Sequence, residues 1–528
     1  MDDSKLNDAS VQTAIAEDKY HRGHANAAQA YYSTRRGPQL SEQTRVRRIF
    51  SFAQIFFFAL TYMSSWEVMC SNVVYVLYNG GPQTLAWGII IIAAGALAQS
   101  ASLAEMASIQ PIAGAQYHWT AFLAPQKQRR FITWLQGWTT WFSWISLLCG
   151  VANVTAYILQ GIVVNNYPTY TPERWHLTLY IFAMLIIEGL MNMYTFWLIP
   201  WIELVAGILH IILFIIFTVV LVTMAPRHNA HFVFLESGTA SGWSNSYVAW
   251  NLGLLTPTWG FVGFDGAVHM SEEVRKARHA VPRAMFWTIA INAVLAYAMC
   301  IIILFTMGDL DDLLSASYPI MTILINATGS LSAATAMCCG LLIISLSVNL
   351  ASIASVSRLT WAWSRDGALP SYFSYINPKY RVPLRALWLP TFMTMLLALL
   401  NIVSTAAFGA FIALSSMALF TSYIIAISCL LYARLKGTVA MGGWNLGRWG
   451  VPVNIFAIIY SAYIFVFLPF PNYLPVTAQN MNYALPIWAF TVLFALISWF
   501  AWGKKKWPGL NEEVVSIVLM DSDKATKD

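Results

Sequence analysis

The chain has 528 residues, 58% of them apolar and only 10% charged, with 23 Trp and a formal net charge of +6. Soluble domains carry about 25% charged residues, so this composition excludes a soluble enzyme and indicates one membrane-embedded unit between two polar tails. The positive excess does not form a nucleic-acid surface. Of 30 Lys and Arg, all but Arg174, Arg227 and Arg358 fall on one side of an alternating series of apolar segments, the mark of a membrane protein with a fixed orientation.

Residues 1–49 carry both signs of charge and no apolar h-region, so they read as a cytosolic tail rather than a signal peptide. Between 50 and 502, twelve stretches reach the roughly 20 apolar residues that a bilayer core demands. They lie at 50–78, 83–108, 131–164, 177–198, 200–224, 248–271, 285–307, 331–362, 385–403, 407–433, 451–470 and 481–502. Residues 503–528 form a second cytosolic tail. The expected fold is all-α and integral to the membrane, with 12 transmembrane helices.

Loop charge alternates along this series. Arg45, Arg47 and Arg48 precede the first span, Lys127, Arg129 and Arg130 the third, and Arg275, Lys276, Arg278 and Arg283 the seventh; Arg365, Lys379, Arg381 and Arg385 follow the eighth, Arg434, Lys436 and Arg448 the tenth, and Lys504, Lys505 and Lys506 the last. These loops are expected in the cytosol. The opposite loops hold only Arg174 and Arg227 against Glu173, Glu236, Asp309, Asp311 and Asp312, and they place the sequon at Asn326 outside, where it can be glycosylated.

A carboxyl group within the hydrocarbon is costly, so Glu67, Glu105, Glu188, Glu203 and Asp265 are functional candidates. In the first span, Thr61 to Glu67 is expected to interrupt the helix, although no glycine stands there; Tyr62, Ser64, Ser65, Trp66 and Glu67 are the ligand candidates. Span three carries a stripe of Trp134, Trp138 and Trp141 at helical spacing, read as packing. Glu188 in span four and His210 in span five, with Glu67, are candidate proton carriers. A hydrogen-bonded structural role is the alternative for His210 and Glu188.

The sixth span is dense in Pro257, Gly260, Gly263 and Gly266, which should break the helix and expose backbone groups to a ligand. A packing kink is the alternative reading. Trp259, Gly263, Phe264 and Asp265 join the binding set, because aromatics and carboxylates without Lys or Arg suit a cationic or zwitterionic amine. Glu105, Glu272, Glu273, Arg358, Arg365 and Asp366 lie near inner span ends and are expected as gate charges or loop scaffolding. The nine His and six Cys show no metal-ligand spacing, so no metal or cofactor is expected. No charge ring or filter motif points to a channel.

Three motifs resemble the fungal amino acid/choline transporter family of the amino acid–polyamine–organocation superfamily. They are 102–119 with Glu105, Pro111, Gly114 and Tyr117; 263–274 with Asp265, His269, Glu272 and Glu273, followed by 281–283; and 357–370 with Arg358, Trp361, Arg365, Asp366 and Gly367. The resemblance implies a five-plus-five inverted repeat followed by two extra helices, with substrate between broken helices 1 and 6. It also implies that 263–265 lies where helix 6 unwinds, and that His210 stands near the place of a coupling cation or titratable group. Where many relatives have a glycine-rich turn in helix 1, this chain has Ser64, Ser65, Trp66 and Glu67, which adds weight to a choline-like amine. The expected function is a proton-coupled secondary active transporter of a small nitrogenous solute (amino acid, choline, γ-aminobutyrate or related amine) in the plasma membrane, with both termini cytosolic. An exporter of an amine natural product and a non-transporting nutrient receptor are the alternatives.

Overall fold

In a computed structural model of the chain, the structure describes residues 46–510, except 239 and 479, together with 515 and 516. The remainder of both expected tails lies outside the described residues. Among the described residues the regular elements are helices, and their order follows the expected spans closely.

The first span is split into α1 (Phe52–Met63) and α2 (Ser65–Tyr78). The second is α3 (Pro82–Ile109); a short α4 (Gln116–Leu123) leads to the third, α5 (Arg129–Asn166). Spans four and five are α6 (Arg174–Tyr194) and α7 (Ile199–Met224). After a short α8 (Ala230–Leu235), the sixth is in three pieces: α9 (Ser246–Gly253), α10 (Leu255–Trp259) and α11 (Gly266–His269). The seventh is α12 (Ala277–Thr306); short α13 (Leu310–Ser315) and α14 (Pro319–Thr328) precede the eighth, α15 (Leu331–Arg365). The ninth is α16 (Leu384–Ala398) continued by α17 (Leu400–Val403); α18 (Thr405–Leu435), α19 (Gly450–Phe467) and α20 (Ala484–Ser498) complete the series. Among the described residues, ten helices are long and apolar enough to cross a membrane. The two interrupted spans bring the number to the twelve expected.

Local chemistry sets these boundaries. Ser51 and Gln54 form a capping box at the start of α1, satisfying N–H groups that the helix cannot. Pro82 sits in the first turn of α3, where its missing N–H costs nothing. In α7 the exposed residues Val205, Ile208, Ile212, Ile215 and Val219 recur at helical spacing, so the apolar stripe faces outward, as a lipid-facing helix requires.

Packing places both broken spans at the centre. α12 lies against α3, α1 and α2, α7 against α1, and α15 and α18 against α5. The α5–α15 approach uses Gly137: a Cβ there would meet the Trp363 ring at 2.3 Å. α19 packs on α18 and α3, and α20 on α18 and α5, so the last two spans flank the repeat pair. The interruptions fall in spans one and six, as a five-plus-five repeat demands. The ordered unit reaches past 502, because Trp507 is buried, ringed by Trp134 at 5.3 Å and Trp363 at 5.9 Å.

Candidate substrate and gate sites

Helix 1 breaks at Ser64, whose backbone is left-handed at φ 38° and ψ 39°, a conformation that a non-glycine residue adopts at a cost. Asn292 on α12 compensates: its Nδ2 donates to the Leu60 carbonyl at 3.2 Å, and its Oδ1 accepts from the Ser65 N–H at 3.2 Å. One amide thereby satisfies the end of α1 and the start of α2. Ser65 Oγ then donates to the Gly260 carbonyl at 2.7 Å, tying the first break to the second. In the second break, Gly263 has φ +93°, and a Cβ there would meet Leu147 at 2.9 Å and Tyr62 at 3.1 Å, so only glycine fits.

Beside these breaks lies a narrow cavity of about 50 Å³. Of the expected ligand residues, Tyr62, Ser64, Glu67 and Trp259 line it; α5, α15 and the helix 6 break supply Leu147, Val151, Val262, Ser345 and Val348. Among the described lining residues Glu67 is the one carboxyl group, and none is Lys or Arg. The Glu67 Oε2 and Trp259 Nε1 atoms have no partner within the described protein, so an acceptor and a donor are both available to a ligand. From Tyr62 the cavity extends towards Ser71, Ile158 and Leu341, away from the face that carries the basic loops.

The other expected ligand residues support this wall from behind. Trp66 is fully buried against Phe217 at 5.3 Å and His210 at 5.9 Å. Asp265 is also fully buried, accepting from Tyr423 OH at 2.7 Å and Trp144 Nε1 at 3.1 Å, with Gln116 as a third donor. Phe264 packs on Tyr423 at 5.2 Å. The carboxylate of Asp265 therefore joins the unwound segment of span six to α4, α5 and α18. Trp134 and Trp138 stack with Trp363 and do not enter the cavity.

Among the proton-carrier candidates, Glu67 and His210 meet: Oε1 and Nδ1 lie 2.6 Å apart, with the imidazole fully buried. Glu188 stands elsewhere, accepting from Asn349 on α15. Glu203 is completely buried and neither of its oxygens has a partner among the described residues.

The expected gate charges pair on the basic face. Arg365 grips Glu272 in two hydrogen bonds of 3.0 and 3.1 Å, and Arg358 Nε donates to Glu273 at 2.8 Å. Asp366 Oδ2 accepts from Tyr117 OH at 2.7 Å and contacts His118 Nε2 at 2.9 Å. Arg434 binds both oxygens of Glu105 at 2.7 Å. These acids are nearly or wholly buried, and each has charged or hydrogen-bonding partners on this face. Burial alone would push the Asp366 carboxyl up, but His118, Arg365 and Tyr117 outweigh it and hold it below the usual carboxylate range.

Asn292, Tyr423, Trp144 and Arg434 were not singled out from the sequence as site residues. Asn292 carried a signal, a lone amide in the apolar run 285–307. Tyr423 and Trp144 look like any buried aromatic, and only the fold brings them to Asp265.

Comparison with known proteins agrees with this architecture. The profile described as "Amino acid permease" matches residues 50–494. The chain is 31% identical to a choline transporter of Saccharomyces cerevisiae over 89% of its own length and 84% of the relative's. It is 30% identical to amino-acid permease 2 of Neurospora crassa, covering 88% of this chain and 86% of that one. A putative amino acid/polyamine transporter of Macrophomina phaseolina is 28% identical over 81% of this chain and 96% of its own. A matched profile across most of the chain, with interrupted helices where that architecture requires them, identifies the chain as a member of the amino acid permease family within the amino acid–polyamine–organocation superfamily.

Proposed function

We propose that this membrane transporter carries a small cationic or zwitterionic amine by alternating access, coupled to protons. The observation that carries the reading is the cavity at the two helix breaks, where Glu67 is the one carboxyl group among the described lining residues and Tyr62 and Trp259 supply aromatic faces. An ammonium group is attracted by the carboxylate and the rings, whereas an anion would find no cation. The relatives named for choline and for amino acids are consistent with that substrate class.

Glu67 and His210 form the coupling pair in this reading. A proton shared across 2.6 Å leaves the carboxylate when substrate ammonium approaches it, and the imidazole takes up the change. The three buried Arg–Glu pairs on the basic face, with the hydrogen-bonded Asp366, act as the inner gate, which must part before substrate leaves on that side. With that face in the cytosol, as the basic loops favour, both termini are cytosolic. Asn326, exposed on α14, then faces outward and is open to glycosylation. The plasma membrane is the proposed address.

Uptake of radiolabelled choline, γ-aminobutyrate and a panel of amino acids, in a permease-deficient host with and without a protonophore, tests the reading. Saturable, protonophore-sensitive accumulation of one amine is expected. Absence of accumulation for every amine in the panel, with the protein verified at the cell surface, would oppose it.

A further inference from the structure

A second cleft, of about 170 Å³, opens on the basic face beside the Glu273–Arg358 pair. Three cations from two separate chain segments converge on it: Arg47 leading into α1, and Lys379 and Arg381 from the link between α15 and α16. All three are exposed. Glu273 is the one carboxylate among the described lining residues, and it is 1% exposed with Arg358 Nε already at 2.8 Å. Arg47 and Lys379 thus face a single carboxylate, one of whose oxygens Arg358 holds, and an oxyanion matches these cations better than a neutral or cationic group.

The position of the cleft narrows the ligand further. Trp197, from the turn joining α6 to α7, forms part of the wall and is 62% exposed; Trp201, one turn further on, is 57% exposed. Exposed Trp at the end of a lipid-facing helix marks the membrane–water boundary. The leaflet on a basic face is the one that concentrates anionic lipids. Phe196, also in the wall, lies under the Arg358 guanidinium at 4.1 Å, so an occupant touches the back of the gate pair.

We propose that this cleft binds the phosphorylated headgroup of an anionic membrane lipid, and that the bound headgroup braces the closed gate by linking the entry to α1 with the α15–α16 link. The proposal needs only the orientation in the reading above, not the substrate or its coupling. Its readouts are therefore binding and thermal stability, and they can fail or succeed independently of uptake.

The test uses the purified full-length protein with a short-chain phosphatidylinositol phosphate as probe, and short-chain phosphatidylserine and inorganic phosphate as the comparison arms. The phosphorylated lipid is expected to bind, to raise the melting temperature, and to bind more tightly than either comparison probe. Arg47→Ala with Lys379→Ala, both at exposed positions, should weaken lipid binding on the order of 30-fold, roughly fivefold per cation removed. Lys379→Arg should keep it. Equal binding by the double variant, or no binding by the wild type, overturns the site. Inorganic phosphate binding as tightly as the lipid overturns the membrane source, and phosphatidylserine doing so overturns the preference for a phosphorylated headgroup.

Discussion

Glu67 Oε1 on α2 and His210 Nδ1 on α7 lie 2.6 Å apart, and Glu67 lines the central cavity. The pair is nearly dry, the carboxyl 7% and the imidazole 0% exposed. At that burial a proton moving between the two groups changes the charge presented to a ligand without moving any backbone. His210→Ala should therefore flatten the pH profile of uptake while leaving surface expression unchanged, which a comparison of initial rates from pH 5 to 8 measures. An unaltered profile would reduce His210 to a packing residue under Trp66.

Asn292 should matter more than its apolar surroundings suggest. Asn292→Ala leaves the Ser65 N–H without its partner and the Leu60 carbonyl with only the 3.4 Å bond from the Ser64 N–H, and should cost about 1–3 kcal/mol. A lower melting temperature is the check. Asn292→Leu should be no better, since added apolar surface cannot satisfy either group. Stability equal to wild type would show that the break is held by other contacts.

Removing one member of a gate pair should hurt more than removing both. Arg365→Ala strands Glu272 among buried groups, and breaking such a pair costs about 3–5 kcal/mol. Arg365→Met with Glu272→Leu should recover part of that loss in a thermal-unfolding series. Non-recovery would mean that the Ala113 N–H on Glu272, 3.1 Å away, carries most of the effect.

The legibility of the fold follows from the physics of lipid. Each span must hide its backbone in a helix about 20 residues long, so the number of spans is legible in the run of apolar residues. The break at Gly263 was readable too, because glycine and proline announce it. The break at Ser64 was harder, since its left-handed turn is held by Asn292, a residue 228 positions away. Within the site, Tyr62, Ser64, Glu67 and Trp259 reach the cavity, but the sequence could not tell that Trp66 turns to α7 or that Asp265 is consumed by Tyr423 and Trp144. Neighbours in sequence point to different faces of a broken helix, and its azimuth depends on tertiary contacts.

Asp366 supplies a prediction on pH. Its folded-state affinity for a proton is lower than in the unfolded chain, so its contribution is complete above the unfolded value and is lost as pH falls through the depressed one. Asp366→Asn should lower the melting temperature by the same amount across neutral pH. The two proteins should begin to converge only as pH falls below about 4, through the depressed folded value. A difference that persisted in acid would assign the loss to hydrogen-bond geometry with Tyr117 rather than to charge.

The most direct measurement is counterflow of a labelled amine into proteoliposomes holding either the wild type or Glu67→Gln, with and without an imposed proton gradient. The account predicts saturable entry by the wild type that the gradient drives uphill, and a variant that has lost the drive together with most of its affinity. Equal, gradient-driven entry by the two proteins would contradict it, because the one acid lining the cavity would then serve neither substrate nor proton.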